Sequence, residues 1–358
     1  MAKRLLNCAV AIDNATFRYW GNSLIETQIK AIEELSNAVA SRPTFFGRRD
    51  NEGVLGYILP DERSITIFHT AEEIEKGAEP VAKYPFANES FDILDVHFTA
   101  RESVLVSIKP RASQTLEGGT VIDVPSVKHL EDALRTKTKL PSEPTERLHF
   151  APTQWCTNKA TFTAISDDGK AYTYATDRRT TRAAGRDFDQ PIDPLWLDRG
   201  QPIEYLSESV VQKVAGGGLY TAALSKDSEL FLWGQAAPDA KEELDDPWSM
   251  DEDADDYVRL QDLRIDGEPI KATDVAVGAA YILVAVERDE RPKFPHQDGG
   301  VERAVLAAGN NVKGSLGLGE DVDEKEFVKV YTEVKALRGK KIKQMVCAEW
   351  SSFVVVGE

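Results

Sequence analysis

The sequence predicts an all-β fold assembled from similar antiparallel sheets, and two observations support this prediction. Short segments rich in Val, Leu, Phe, Tyr and Trp alternate with turns that contain Gly and Asp, which is typical of strands joined by hairpins. One arrangement of strands and turns also returns several times along the 358 residues. A chain of this length forms either two ordinary domains or one repeat array, and the recurring arrangement favours the array.

The clearest copy of the repeat covers residues 213–234, KVAGGGLYTAALSKDSELFLWG. It reads as a strand at 213–215, a Gly-rich turn, a second strand at 220–225, a polar turn, and a third strand that ends at Trp233-Gly234. Small residues at the first turn allow two strands to approach closely, while the apolar side chains fill a buried sheet face. The segment therefore predicts three antiparallel strands.

Further copies of this arrangement follow a regular spacing. They lie at 95–108, at 150–176 with an Asp-Asp-Gly hairpin turn, at 274–286 continued by 303–319, and at 345–356. The equivalent positions Ser103, Phe162, Thr221, Ile282 and Ser352 are 59, 59, 61 and 70 residues apart. A period of about 60 residues indicates repeated structural units rather than unrelated domains.

The ends of the chain predict how the array closes. Three or four short strands cannot bury a sheet face alone, so neighbouring sheets pack face to face, and a ring protects their edges. The last copy supplies only two strands before Glu358, and residues 7–21 supply two more that end at Trp20-Gly21. We therefore expect a single β-propeller domain over 1–358, closed by N- and C-terminal strands in one blade.

The blade number depends on residues 22–90, where the repeat is weakest. Counting by period gives six blades, whereas a divergent blade hidden in this region gives seven. Within it, residues 25–40 also fit an amphipathic helix inserted on the propeller. The apolar face of that helix would consist of Ile29, Ile32, Leu35 and Val39.

Two motifs carry a family resemblance. The run V-A-x-G-x-x-x-T-A-A-L followed by L-F-L-W-G (214–234), and A-A-G-N-N-V-K-G-S-L-G-L-G (307–319), resemble the repeat of the regulator of chromosome condensation propellers. The match is close over 200–358, recognisable over 90–200 and weak before that, where 45–56 resembles a degraded Gly-x-Leu-Gly segment. The resemblance implies a propeller that commonly has seven blades, and on this ground we predict seven blades, with six as the alternative. The chain departs from the family pattern after the Gly-rich turns, where the usual His is replaced by Tyr220, Tyr281 and Ser351.

Composition excludes several classes of function. The formal charge of −17 opposes binding to a phosphate backbone, so we expect no direct nucleic-acid partner. We interpret two basic clusters as solvated loops or as docking points for an acidic protein. One cluster consists of Arg178, Arg179, Arg182 and Arg186, and the other of Lys340, Lys341 and Lys343. No apolar run reaches the roughly 20 residues of a membrane span, and the opening residues lack a signal-peptide pattern, which predicts a cytoplasmic or nuclear location.

We find no pattern that predicts catalysis or a cofactor. The five histidines show no metal-ligand spacing, and no nucleophile elbow or phosphate-binding loop is present. Cys8, Cys156 and Cys347 have no CxxC spacing and are read as small core residues. We therefore predict a protein that is not an enzyme and that has neither a cofactor nor a metal site.

The candidate binding residues lie in two loops. Residues 239–256 carry ten acidic side chains against one Lys and lie within a predicted loop insertion at 237–258. Trp248 and Met250 lie within it, and a Trp among acids is either a docking anchor for a partner or a side chain that packs back on the propeller. The predicted partner-binding residues are Trp248, Met250, Asp251 and Glu252 of this loop, with Lys313 and Glu320 of the loop around the Gly-x-Leu-Gly turn.

These features favour a protein-interaction scaffold or regulatory subunit in a heteromeric complex. By size and acidity, the chain is similar to the fungal alpha-tubulin suppressor type of the family. That likeness implies a small zinc protein as partner, in diphthamide synthesis and Elongator-dependent tRNA wobble-uridine modification. The alternative is a guanine-nucleotide exchange factor for a Ran-like small GTPase, which is the activity of the founding member of the family.

Overall fold

The computed structural model of the chain describes sixteen stretches of sequence, and the structural statements that follow concern these residues. They are 9–13, 16–20, 24–37, 43–48, 53–86, 91–99, 103–110, 119–136, 146–175, 181–185, 200–234, 257–289, 300–311, 314–319, 327–348 and 350–357. The chain divides into two compact units, Met1–Ala151 and Pro152–Glu358. Each unit consists mainly of antiparallel strands.

The first unit contains one hairpin and two four-stranded sheets, with three short helices. The hairpin is β1 (Ala9–Asp13) and β2 (Thr16–Trp20). One sheet has the order β3 (Thr44–Arg48), β4 (Gly53–Leu59), β5 (Ser64–Phe68), β6 (Val81–Pro85), and the other β7 (Phe91–Phe98), β8 (Val104–Pro110), β9 (Thr120–Val124), β10 (Glu146–Leu148). The helices are α1 (Glu26–Glu33), α2 (Ala71–Glu75) and α3 (Val127–Thr136).

The second unit contains three four-stranded sheets and two hairpins. The first sheet is β11 (Gln154–Thr157), β12 (Thr161–Ile165), β13 (Ala171–Ala175), β14 (Gln201–Pro202), and the second is β15 (Val211–Gly217), β16 (Tyr220–Ser225), β17 (Leu230–Gly234), β18 (Arg259–Leu260). A small hairpin, β19 (Arg264–Ile265) and β20 (Glu268–Pro269), precedes the third sheet. That sheet is β21 (Lys271–Gly278), β22 (Tyr281–Asp289), β23 (Val301–Asn310), β24 (Phe327–Glu333), and the hairpin β25 (Ile342–Ala348) and β26 (Ser351–Val356) follows it.

Every four-stranded sheet is a meander, in which strands pair in the order in which they occur along the chain. The central strands are the most apolar, and β12 and β16 are buried along their whole length. Both faces of such a strand are apolar, so within each unit one sheet packs against the next one. In the second unit, alternate residues of β16 and β22, among them Ala222, Leu224, Ile282 and Val284, share one core cluster between their two sheets.

Side chains on the first strands connect neighbouring sheets of the second unit. The Gln154 amide of β11 pairs with the backbone of Val214 in β15, with Val214 N donating to Oε1 at 2.8 Å and Nε2 donating to the carbonyl at 3.2 Å. One carboxylate oxygen of Asp274 in β21 forms an ion pair with Lys213 of β15. The other accepts the backbone N–H of Met345 in β25 at 3.0 Å. Asp274 therefore holds both neighbouring first strands.

The predicted repeat units coincide with the observed sheets. The copies predicted at 95–108, 150–176, 213–234 and 274–319 lie in four of the four-stranded sheets, and the copy at 345–356 lies in β25–β26. Residues 22–90, expected to hide a divergent blade, contain the sheet of β3 to β6. In that sheet, 45–56 is a β-hairpin rather than a degraded Gly-x-Leu-Gly loop, because Phe45 and Phe46 pair with Tyr57 and Gly56.

The helix predicted over 25–40 begins at Glu26 and ends at Glu33, and a 3₁₀ turn, Glu34–Asn37, continues it. Ile32 and Leu35 of the predicted apolar face are buried, and Val39 lies outside the described residues. The β1–β2 and β25–β26 hairpins lie in different compact units. Closure of a ring through one shared blade, and a count of seven or six blades in one domain, stay predictions.

The role of Asp274 leads to a stability prediction. We expect Asp274→Ala to lower the free energy of unfolding by about 2 to 3 kcal/mol, because the change leaves the largely buried Lys213 ammonium and the Met345 N–H without their acceptor. Urea denaturation measures the loss. Asp262→Ala is the matched control, since its ion pair with Arg264 is exposed and should contribute no more than about 1 kcal/mol. Equal losses in the two variants would show that Asp274 does not connect the strands.

Candidate interaction surface

In every four-stranded sheet, a long connection joins the third strand to the fourth strand. In the first unit they are residues 69–80 and 125–145, which include α2 and α3 respectively. In the second unit they are residues 176–200, 235–258 and 311–326. In a meander, the turn between strands one and two lies at the same end of the sheet as the connection between strands three and four. Each long connection therefore leaves its sheet beside the first turn.

The strand register confirms this placement in the second unit. Tyr220 begins β16 and pairs with both Gly217 before the first turn and Gly234 at the end of β17. In the next sheet, Tyr281 pairs in the same way with Gly278 and Gly309. The end of the third strand thus lies directly beside the first turn in both sheets.

The first turns of neighbouring sheets are also in contact. Lys159 N, in the turn after β11, donates to the carbonyl of Gly218 in the turn after β15 at 2.7 Å. The backbone of Gly217 approaches Gly278 so closely that a Cβ on Gly217 would lie 2.5 Å from the Gly278 carbonyl oxygen. These contacts align the sheets of the second unit. The connections 176–200, 235–258 and 311–326 consequently emerge on one side of that unit.

Tyr281, one of the residues that replace the expected His, fixes two of these turns. Its side chain is fully buried, and its hydroxyl donates to the Ser351 carbonyl in the turn between β25 and β26 at 2.8 Å. Burial raises the pKa of Tyr281, which keeps the phenol protonated as a donor. The Ser352 hydroxyl donates to the Ser315 carbonyl at 2.6 Å. Tyr281 therefore makes a polar contact between successive sheets.

Asn158 serves the equivalent turn of the sheet that begins with β11. Its side-chain oxygen accepts the backbone N–H groups of Ala160 and Thr161 at 2.8 and 2.7 Å. Its amide nitrogen donates to the Thr221 hydroxyl in the next sheet at 2.9 Å. The side of the second unit on which these connections emerge is thus a set of turns joined by hydrogen bonds.

The acidic connection is anchored at both of its ends. On the side of β17, Trp233 is 1% exposed, and on the side of β18, Val258 is equally buried. Arg259 then pairs with Leu232, and Gln261 N donates to the Leu230 carbonyl at 2.8 Å. The predicted site residues Trp248, Met250, Asp251 and Glu252 belong to this connection and lie outside the described residues. Their role stays a prediction.

The predicted residues Lys313 and Glu320 flank a well-packed turn and also lie outside the residues that the structure describes. Between them, Leu316 is fully buried and its N–H donates to the Asn311 side-chain oxygen at 3.2 Å. The Ser315 hydroxyl donates to the Asn310 carbonyl at 2.8 Å. The described turn, residues 314–319, is therefore fixed to the end of β23.

In the first unit, a cluster of polar side chains joins the two long connections. The ring of His69, in the connection 69–80, has Nδ1 at 2.5 Å from the Glu79 carbonyl oxygen and Nε2 at 3.0 Å from Glu131 Oε1 on α3. The Tyr84 hydroxyl donates to the same carboxylate oxygen. Since carbonyl and carboxylate oxygens only accept hydrogen bonds, this geometry is satisfied when both ring nitrogens of His69 carry protons.

The electrostatics of this cluster agree with its geometry. Burial by itself lowers the pKa of His69, but the hydrogen bond to the Glu79 carbonyl and the charge of Glu131 outweigh it and raise that pKa above its ordinary value. Burial, together with Glu131, raises the pKa of Tyr84 and keeps its hydroxyl protonated. The sequence analysis did not find this cluster, because His69 and Glu131 are far apart in the chain and share no motif.

The raised pKa of His69 predicts how stability depends on pH. The ion pair with Glu131 stabilises the fold fully below pH 6.5, and this contribution is lost as the pH rises through the folded-state pKa of His69. The unfolding free energy of the wild type, relative to Glu131→Gln, should therefore decrease between pH 6 and roughly pH 8. Urea denaturation across this range measures the difference. Glu72→Gln, which removes an exposed ion pair with Lys76, is the control and should leave this pH dependence in place.

Two further properties concern cofactors and membranes. Within the described ranges, no group of three or more His, Cys, Asp or Glu side chains is arranged to hold a metal ion. Within the same ranges, no helix is long and apolar enough to cross a bilayer.

Comparison with known proteins relates the chain to solved propeller-type structures at low identity. The chain is similar to Prp20p of Saccharomyces cerevisiae, with 12% identity, 85% of this chain and 80% of that chain covered, and a TM-score of 0.46. The chain is also similar to human WBSCR16, with 14% identity and a TM-score of 0.41; the match covers 85% of this chain and 82% of WBSCR16. A third similar structure is the β-propeller domain of Myceliophteria thermophila Cps50 (Swd1), with 12% identity and a TM-score of 0.32; the match covers 64% of this chain and 62% of that domain. No family model and no curated protein matches the sequence. These distant likenesses assign no activity.

Proposed function

We propose that this protein is a non-catalytic interaction scaffold or regulatory subunit that binds partner proteins through its third-to-fourth-strand connections. One observation carries the proposal. In the second unit, three long connections emerge on one side of a platform whose turns are joined by buried hydrogen bonds. Variable loops mounted on rigid sheets are a common construction for protein-binding surfaces.

The charge of these connections supports binding to proteins rather than to nucleic acids. The connection 235–258 contains the acidic run 239–256, while the connection 176–200 contains Arg178, Arg179, Arg182 and Arg186. Segments of opposite charge on one side can select a partner with a complementary pattern and exclude others. The overall charge of −17 repels a phosphate backbone.

The finer parts of this proposal concern the partner. We propose a heteromeric complex, and the family resemblance suggests a small zinc protein that acts in diphthamide synthesis and tRNA wobble-uridine modification. Exchange activity on a Ran-like GTPase is the alternative. A fluorescent-GDP release assay with Ran distinguishes the two, because a scaffold should leave the release rate unchanged whereas an exchange factor should accelerate it.

The acidic run gives the direct test of the scaffold. We expect replacement of 239–256 by a Gly/Ser linker of equal length to leave the melting temperature unchanged, because buried residues anchor the connection at both ends. The same change should reduce recovery of co-purifying proteins several-fold, measured by quantitative mass spectrometry after affinity purification. A matched control replaces 290–299, in the connection between β22 and β23 at the opposite end of its sheet, and should retain recovery. A parallel loss of melting temperature and partners would show that the acidic run is structural.

A further inference from the structure

An exposed apolar patch lies on the second unit beside the re-entry of the acidic connection. It is formed by Tyr205 and Leu260, whose residues are 46% and 52% exposed, on either side of the buried Phe231. Large apolar side chains that are exposed singly are normal on protein surfaces, whereas adjacent ones indicate a binding site. We refer to these three residues as the Tyr205–Leu260 patch.

The contacts of Phe231 make the patch continuous. The Tyr205 ring meets the Phe231 ring edge to face, with the centroids 6.2 Å apart and the planes at 77°. On the other side, Leu260 is the direct partner of Phe231 in the β17–β18 ladder. Because directly opposed residues of an antiparallel pair point to the same face, Leu260 extends the surface that Tyr205 and Phe231 begin.

The base of the patch is rigid. Phe231 belongs to a buried cluster with Ile203, Leu206 and Val258, which come from the segments that carry Tyr205 and Leu260. Both exposed side chains are therefore mounted next to fully packed neighbours. A rigid aromatic anchor of this kind offers contact area at a small cost in conformational entropy.

The surroundings of the patch are acidic. Glu204 and Glu208 are exposed on the same short segment as Tyr205. In the sequence, the acidic run 239–256 ends four residues before Leu260. Arg259 is the nearest cation in sequence, but it pairs with Leu232 and points to the other face of the sheet.

From this combination we infer that the Tyr205–Leu260 patch binds a basic, amphipathic segment of a partner protein. Apolar side chains of that segment would cover Tyr205 and Leu260, and its Lys and Arg residues would face Glu204 and Glu208. Apolar contact at the centre supplies affinity, and the charges at the rim supply steering and selectivity. The inference rests on the proposed scaffold function and names the chemistry of its partner.

A defined probe tests this inference without knowledge of the natural partner. The probe is a fluorescein-labelled synthetic peptide in which Lys residues alternate with Leu and one Trp, and its binding to the full chain is measured by fluorescence anisotropy. Leu260→Ser and Tyr205→Ser should each weaken binding about tenfold, which corresponds to the loss of one hot-spot contact. Tyr205→Phe should retain affinity, because it keeps the ring.

The control variant is Val330→Ser, which removes an equally apolar side chain that is 74% exposed on β24 of the next sheet. It should bind the probe within twofold of the wild type. A second probe with Ser in place of Leu and Trp should bind at least tenfold more weakly than the first. The double variant Glu204→Lys/Glu208→Lys should also weaken binding, and the loss of affinity should be larger at low salt than at high salt because salt screens the charges.

Two results would overturn the inference. In the first, Leu260→Ser and Tyr205→Ser bind the probe as tightly as the control Val330→Ser does. In the second, the wild type binds both probes with equal affinity, which would show that charge alone attracts the probe. Neither result contradicts the scaffold function, which fails separately if the wild-type chain recovers no partner protein. Melting temperatures of all variants are compared, and both patch substitutions lie at exposed positions where folding should tolerate them.

Discussion

A four-stranded meander with two apolar faces cannot remain in water alone, and the architecture of this protein follows from that constraint. Within each unit, one sheet covers a face of the next, and in the second unit Ala222 and Leu224 of one sheet share a core with Ile282 and Val284 of its neighbour. Apolar packing is not directional, and it tolerates some sliding of one sheet over another. Hydrogen bonds at the first strands, such as those of Asp274, remove that freedom and fix the relative position of neighbouring sheets.

This division between packing and polar contacts also determines where function can be placed. The central strands tolerate little change, because they are buried on both faces, whereas the charged runs of the third-to-fourth-strand connections cannot enter a core. Connections can therefore differ in length and charge without disturbing the core. In the first unit they contain helices α2 and α3, and in the second they contain the basic and acidic segments. The candidate surface of the second unit arises from this topological position.

The sequence predicted the sheets well where their turns carry a chemical signature. Asp167-Asp168-Gly169 and the glycines before Tyr220 marked hairpins, because their backbones adopt conformations that few other residues favour. The sheet of β3 to β6 was harder to find, because its first turn lacks the Gly-rich pattern of the later repeats and α2 separates its last two strands.

The candidate surface was predictable only in part. An excess of one charge marked the acidic run in the sequence, since such a segment cannot enter a core. The Tyr205–Leu260 patch could not be found in this way, because it joins residues on both sides of that run. The His69–Glu131 pair could not be found either, because its two residues are 62 positions apart in the sequence. Contacts between distant segments depend on the register of the sheets, which local patterns do not encode.

The meander order has a consequence for how this chain is made. Every strand pair among the described residues joins neighbours in sequence, so no pair must wait for a segment synthesised much later. Loop closure over short distances is fast, and a sheet can therefore assemble soon after its last strand leaves the ribosome. Folding would then proceed sheet by sheet during synthesis, and within the second unit the β25–β26 hairpin would be the last element to pair.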